Sequence, residues 1–207
     1  MKIAIIGAGN VGSTLGEAWC ALGHTITYGV PNPEDSKYLS LKEHSTVTFV
    51  RQAVKDSNIC VLATPWSKTQ EAIIQIGEDL DGKVLVDCTN PLKPDLSGLT
   101  VGHITSGAEQ IAQWATKAKV VKAFNTTGFN IMADPVLEGR KTVMFVASDD
   151  GAARKQVAEL ATELGFDTVE VGELATARLL EPLALLWISM AYRYGFGRDF
   201  GFAIVKR

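Results

Sequence analysis

Six residues near the start of the chain, Gly7-Ala8-Gly9-Asn10-Val11-Gly12, have the types and spacing of a turn that cradles a diphosphate. They follow a short β-branched run, "KIAII", and open an apolar helical one, "VGSTLGEAWCALG". That strand-turn-helix context is what a G-x-G-x-x-G run needs to count as a dinucleotide site. Gly7 permits the tight turn, Gly9 lets a pyrophosphate reach the backbone, and Gly12 lets the helix pack on the strand. The unpaired N–H groups at the helix start face the anion.

Three further stretches stand where strands end. Ala63-Thr64-Pro65-Trp66 closes "ICVLA", Asp87-Cys88-Thr89-Asn90-Pro91 closes "KVLVDC", and Phe124-Asn125 closes "KVVKAF". Ligands in open α/β sheets collect beyond the carboxyl ends of strands, so these stretches are expected to border a cofactor. Asn90 can both donate to and accept from a ribose or a nicotinamide amide. Read singly, each has a plainer alternative: an Asn-Pro turn, Phe124 as core, Asn125 as the close of a turn, and Lys122 as part of its strand.

The stretch after the second strand, "YGVPNPEDSK", stands where the choice of dinucleotide is usually made. An acid there accepts from the 2′-hydroxyl of NAD, and an arginine grips the 2′-phosphate of NADP. Tyr28, Gly29 and Val30 supply neither. The polar groups at hand are Asn32, Ser36 and Lys37, and Ser36 with Lys37 would hold a phosphate if the loop folds back. Glu34 and Asp35 oppose this by charge, and the same residues would equally serve to turn the chain and cap the next helix.

The sequence has no Gly-x-Ser-x-Gly elbow, metal-ligand cluster or phosphate-loop lysine. His24, His44 and His103 lie apart, and only His103 falls near the expected site, without an evident carboxylate partner. Hydride transfer needs none of these groups, because the cofactor carries the reacting carbon and the protein fixes donor and acceptor face to face. No catalytic side chain and no metal ligand is therefore expected.

The elements that must position these residues are legible as an alternation. Eight short β-branched runs, "KIAII", "TITY", "TVTF", "ICVLA", "KVLVDC", "KVVKAF", "TVMFVA" and "DTVEV", are separated mostly by helical periodicities such as "SKTQEAIIQIGEDL" and "GAARKQVAELATELG". Apolar strands alternating with helices predict an α/β fold with a parallel sheet covered on both faces. Residues 89–106, rich in proline and glycine, read as a long functional loop, and Ser106 to Glu109 as a capping box that starts a helix. "LATARLLEPLALLWISMAYRYG" reads as an apolar helix whose exposed face needs covering.

In 207 residues, 46% hydrophobic and 21% charged with net charge -3, there is no basic surplus to draw nucleic acid or an anionic membrane. The N-terminus shows no cleavable signal, and no apolar run of membrane-spanning length is expected. Cys20, Cys60 and Cys88 lack paired spacing and read as packing thiols in a reducing, cytoplasmic compartment. The expected partners are a small-molecule redox acceptor and a second copy of the chain.

Taken together, "MKIAIIGAGNVGSTL", "VDCTNPL", "TSGAEQIA", "KVVKAFNTTG", "LGFDTVEVG" and "ARLLEPLALLWI" resemble the F420-dependent NADP oxidoreductase family. The resemblance implies a Rossmann-type doubly wound, mainly parallel sheet over residues 1–125. It also implies a small C-terminal α/β extension over 126–207 and a homodimer. The implied reaction moves a hydride between NADP(H) and the deazaflavin coenzyme F420 or a flavin-like acceptor. On the matching positions, Ala8, Gly9, Asn10 and Val11 would hold the pyrophosphate and Ala63 to Trp66 the cofactor's edge. Thr89, Asn90 and Pro91, with Phe124 and Asn125, would shape the hydride-transfer cleft. The chain departs from the family after the second strand, where Val30-Pro31-Asn32 replaces a Ser-Arg type pair. Two other readings compete: a dehydrogenase of small hydroxy acids or imines, and a non-catalytic NADP(H)-sensing module.

Overall fold

All eight β-branched runs form strands in the computed structural model, which describes residues 1–207. The chain runs β1 (Lys2–Ile6), α1 (Asn10–Ala21), β2 (Thr25–Val30), α2 (Leu39–Lys42), β3 (Thr46–Phe49), α3 (Val50–Lys55), β4 (Ile59–Leu62), α4 (Trp66–Ile76), β5 (Val84–Asp87), α5 (Gly107–Trp114) and β6 (Lys119–Lys122). It continues with α6 (Phe129–Ala133), a small hairpin of β7 (Val136–Leu137) and β8 (Arg140–Lys141), then β9 (Val143–Val146), α7 (Gly151–Glu163), β10 (Asp167–Glu170) and α8 (Ala177–Tyr192). The helices α2, α3 and α6 are too short for the sequence to show a period.

The main sheet has the order β3-β2-β1-β4-β5-β6 and is parallel throughout. Strand order reverses between β1 and β4, which opens a crevice beyond their carboxyl ends. Both faces are buried. Ile3 and Ile5 belong to one apolar cluster and Ala4 and Ile6 to the other, which is why the strand carries no polar alternation.

β9 and β10 pair in parallel, and Ala147 forms an antiparallel bridge to Lys122 at the end of β6. Met144, Val157 and Phe166 share a cluster with Ile5, Val61 and Val121. The element order changes after residue 125, then, but the core continues across that point.

α1 lies hard against the sheet. A Cβ on Gly12 would overlap the carbonyl oxygen of Gly7, and one on Gly16 the Tyr28 hydroxyl. Gly12→Ala is therefore expected to lower stability by about 1–3 kcal/mol through overpacking, read as a lower urea midpoint at unchanged slope.

By length and composition, Leu174–Tyr192 is long and apolar enough to cross a membrane, which corrects the expectation that no such run exists. Here Ala177, Leu180, Glu181, Ala184 and Trp187 are buried, while Leu179 and Leu186 are exposed. The glycine-rich tail returns to this helix: the Trp187 Nε1–H donates to the Phe200 carbonyl at 3.0 Å, and the two rings stack at 5.1 Å.

Candidate active site

The glycine turn is held from two sides. Gly7 has φ +98°, and a Cβ there would stand 2.7 Å from the Ala63 carbonyl oxygen. Its N–H donates to the Gly29 carbonyl at 3.0 Å. The turn thus ties the carboxyl ends of β1, β2 and β4 together, a geometry only glycine enters without strain. Gly9 differs: it is the N-cap of α1 at φ −84°, without a side-chain cap, and a Cβ on it would meet nothing within 4 Å. The first intrahelical bond runs from Ser13 N–H to the Gly9 carbonyl at 2.9 Å. The N–H groups of Asn10, Val11 and Gly12 therefore have no intrahelical acceptor and point out of the helix start.

Beside this turn lies a cleft of about 650 Å³. Val11 of α1 lines it, with Ala63 to Ser67 from the end of β4, Cys88 to Asn90 from the end of β5, and Leu92, Pro94 and Thr100 from the loop that follows. Val11, Ala63, Thr64, Pro65, Trp66, Thr89 and Asn90, all expected at the site from the sequence, are thereby brought together. Trp66 stacks on Trp114 with ring centroids 5.6 Å apart, which fixes one apolar wall.

The loop after β5 is more ordered than its prolines and glycines suggest. Leu92 and Leu99 form an antiparallel bridge, and the Pro91 carbonyl accepts from the Thr100 N–H at 2.7 Å and from its hydroxyl at 3.0 Å. Pro91 is buried and fastens this wall without lining the cleft. α5 then starts as expected, with the Ser106 hydroxyl accepting from the Glu109 N–H at 3.2 Å. Glu109 does not reach back to the backbone; its carboxylate accepts from the Ser106 hydroxyl at 2.8 Å and from Arg178.

Behind the cleft sits a charged cluster that sequence reasoning missed. The Lys122 ammonium lies 2.8 Å from Asp87 and 3.1 Å from Glu181, all three side chains fully buried. Lys122 also donates to the Thr89 carbonyl at 2.5 Å. Asp87 accepts from the Thr89 N–H at 2.8 Å and its hydroxyl at 2.7 Å. Glu181 caps α5 by accepting from Gly107 N–H at 2.9 Å and Ala108 N–H at 3.1 Å. Burial works against the charge on Lys122, but Asp87 and Glu181 outweigh it and hold the amine above its usual value. Burial pushes the Glu181 carboxyl up, against the pull of Lys122. Lys122 is thus both a strand residue and the counter-ion that fixes Thr89.

Asn90 is set by its neighbour. Its Nδ2 donates to the Asn125 carbonyl at 3.0 Å, and Asn125 Nδ2 donates to Asn90 Oδ1 and to the Leu180 carbonyl, each at 3.1 Å. Asn125 is 4% exposed, and its Oδ1 is buried without a partner. It supports the cleft from behind and does not line it.

Phe124 is a correction. Its ring lies in the core, 1% exposed, edge-on to Trp19 at 5.6 Å and near Phe166 at 6.3 Å. It does not line this cleft.

The loop after β2, expected either to clamp a phosphate or to turn and cap the next helix, has a capping arrangement. Asn32, Ser36 and Lys37 are exposed on the loop after β2 and do not line the cleft. Asp35 caps the short helical turn at 36–38 by accepting from the Lys37 N–H at 3.0 Å, and its other oxygen pairs with the Lys37 ammonium at 2.9 Å. The capping alternative describes this loop. Tyr28 is buried, with its hydroxyl donating to the Ser13 carbonyl at 3.3 Å, so it faces α1 and not a ribose.

The strand order, the glycine turn at its switch point and the adjoining cleft define a Rossmann-type dinucleotide-binding protein. A family model described as "NADP oxidoreductase coenzyme F420-dependent" matches residues 2–91. The chain is 29% identical over 213 residues to the F420-dependent NADP reductase of Methanothermobacter thermautotrophicus, covering 93% of this chain and 90% of that protein. It is 30% identical over 188 residues to metalloreductase STEAP3 of Rattus norvegicus, covering 89% of this chain but only 37% of that protein. A crystal structure of a provisionally assigned F420-dependent NADP-reductase from Arthrobacter sp. FB24 superposes with a TM-score of 0.91 at 33% identity, covering 100% of both chains. The chain belongs to the F420-dependent NADP oxidoreductase family.

Proposed function

We propose that this member of an NADP-dependent oxidoreductase family transfers a hydride between NADP(H) and a planar deazaflavin, coenzyme F420, or a flavin-like acceptor. The observation that carries this reading is the composition of the cleft. Trp66, Leu92 and Pro94 give it apolar walls, and its polar groups are hydroxyls, an amide and one thiol. That thiol, Cys88, is pushed well above its usual value by burial and by Asp87, so it stays protonated. Such a site suits direct hydride transfer between two flat rings and offers no side chain for general acid–base or covalent chemistry.

The residues fit a dinucleotide: the space above Gly9 and the free N–H groups of α1 match a pyrophosphate in size and charge. When bound, the nicotinamide supplies the carbon that carries the hydride. Ala8 to Val11 bind the diphosphate, Ala63 to Trp66 orient the adjoining edge, and Thr89 and Asn90 set the distance to the acceptor. The apolar walls give two flat rings a surface to lie against. The same reading includes a homodimer through the exposed Leu179 and Leu186 side of α8, and a reducing cytoplasm, in keeping with three free cysteines.

Purified protein mixed with NADPH and oxidised F420 is expected to bleach the deazaflavin's visible absorbance with a turnover of about 1–10³ s⁻¹. Absence of turnover with F420 and with FMN and FAD would overturn the proposal.

A further inference from the structure

We infer that the adenosine end of the site does not select for a 2′-phosphate, so that NAD(H) and NADP(H) bind with comparable affinity. This rests on the dinucleotide reading of the glycine turn and concerns the loop after β2. Val30, the last residue of β2, is 1% exposed. Gly29 is wedged so that a Cβ would stand 2.8 Å from Ile6 and 3.0 Å from the Val50 backbone. Pro31 adds no donor. The end of the strand therefore offers neither a carboxylate to a ribose hydroxyl nor a guanidinium to a phosphate.

The cations further along are already taken. Lys37 is paired with Asp35 at 2.9 Å and leans over the Tyr38 ring at 4.9 Å. Lys42 faces Glu34 at 3.7 Å. Arg51, in α3, is held by Asp79 at 2.6 Å with Glu78 at 3.7 Å. Between Pro31 and Ser45, Glu34, Asp35 and Glu43 outnumber Lys37 and Lys42. Hydrogen bonds from Lys37 hold the Asp35 carboxyl below the usual carboxylate range, so it stays ionised wherever the cofactor binds. A 2′-phosphate entering here adds negative charge to a loop already biased that way, and it finds no unpaired cation.

The test is calorimetry of the full chain with NADP⁺ and with NAD⁺, on wild type and on Asp35→Asn. The asparagine keeps an oxygen for the Lys37 N–H and removes the charge that neutralises the ammonium. In wild type the two dissociation constants are expected to agree within about tenfold. In Asp35→Asn, NADP⁺ alone is expected to tighten by about tenfold, the worth of one charge-assisted contact. Wild-type preference for NADP⁺ above about tenfold overturns the inference and leaves the proposed function standing. An unchanged ratio in Asp35→Asn overturns the role given to Asp35. Failure to bind either dinucleotide overturns both the inference and the reading beneath it.

Discussion

Lys122→Met is expected to lose about 3–5 kcal/mol of stability at neutral pH, seen as a large fall in the urea midpoint. The methionine fills the same space, so the loss does not come from a cavity. It comes from Asp87 and Glu181, fully buried and left without a counter-ion, and from the Thr89 carbonyl, which loses its donor. The pH dependence separates this cause from a packing defect. Burial already holds the Glu181 carboxyl above its ordinary value with Lys122 present, and removing the ammonium drives it higher still. A carboxyl whose native pKa is raised favours folding below its unfolded-state pKa, and that advantage is lost as pH rises through the native value. The variant should therefore recover stability relative to wild type on going from about pH 7.5 to about pH 5. A deficit that stays constant across that range would place the loss in packing and remove the electrostatic account.

Gly9→Val is expected to leave the fold intact and to weaken dinucleotide binding by about a hundredfold, the equivalent of two charge-assisted hydrogen bonds to the pyrophosphate. Gly9 has an extended backbone that valine adopts readily, and its Cβ direction is open. The cost to stability should stay below about 1 kcal/mol, the scale of replacing a glycine N-cap with an aliphatic residue. The side chain would occupy the place from which a phosphate reaches the N–H groups of Asn10, Val11 and Gly12. Calorimetry alongside urea melts gives both numbers. The contrast with Gly12→Ala is the useful control, since that methyl collides with Gly7 inside the protein and should lower stability first. Unchanged binding in Gly9→Val would show that the diphosphate lies elsewhere.

Local signals carried far along this chain. The glycine turn was legible because its spacing is local and Gly12 packs on Gly7 itself, although Gly7 also packs on Ala63 from far along the chain; the strands were legible because both faces of a parallel sheet must be apolar. The capping residue of α5 was legible for the same reason, although the sequence alone sent Glu109 to the backbone when Arg178, far along the chain, competes for it. The charged cluster left only a faint trace: a lysine in "KVVK", an aspartate closing "VLVD" and a glutamate in an apolar helix, "RLLEPL". Each looks like a solvated charge until the fold is known.

The sequence by itself determined the order of the eight longer strands and of the longer helices, the glycine turn, and the expectation that the β4 and β5 ends border one site. These follow from short-range sterics and the periodicity of apolar residues. Tertiary structure alone decided three things. It turned Phe124 into the core, it joined Asp87, Lys122 and Glu181 behind Thr89, and it left Lys37 paired with Asp35. All three depend on which groups share a low-dielectric or crowded space after the chain has closed. Residues on β5, β6 and α8 meet only because the sheet and its last helix pack together, and spacing along the chain does not encode that distance.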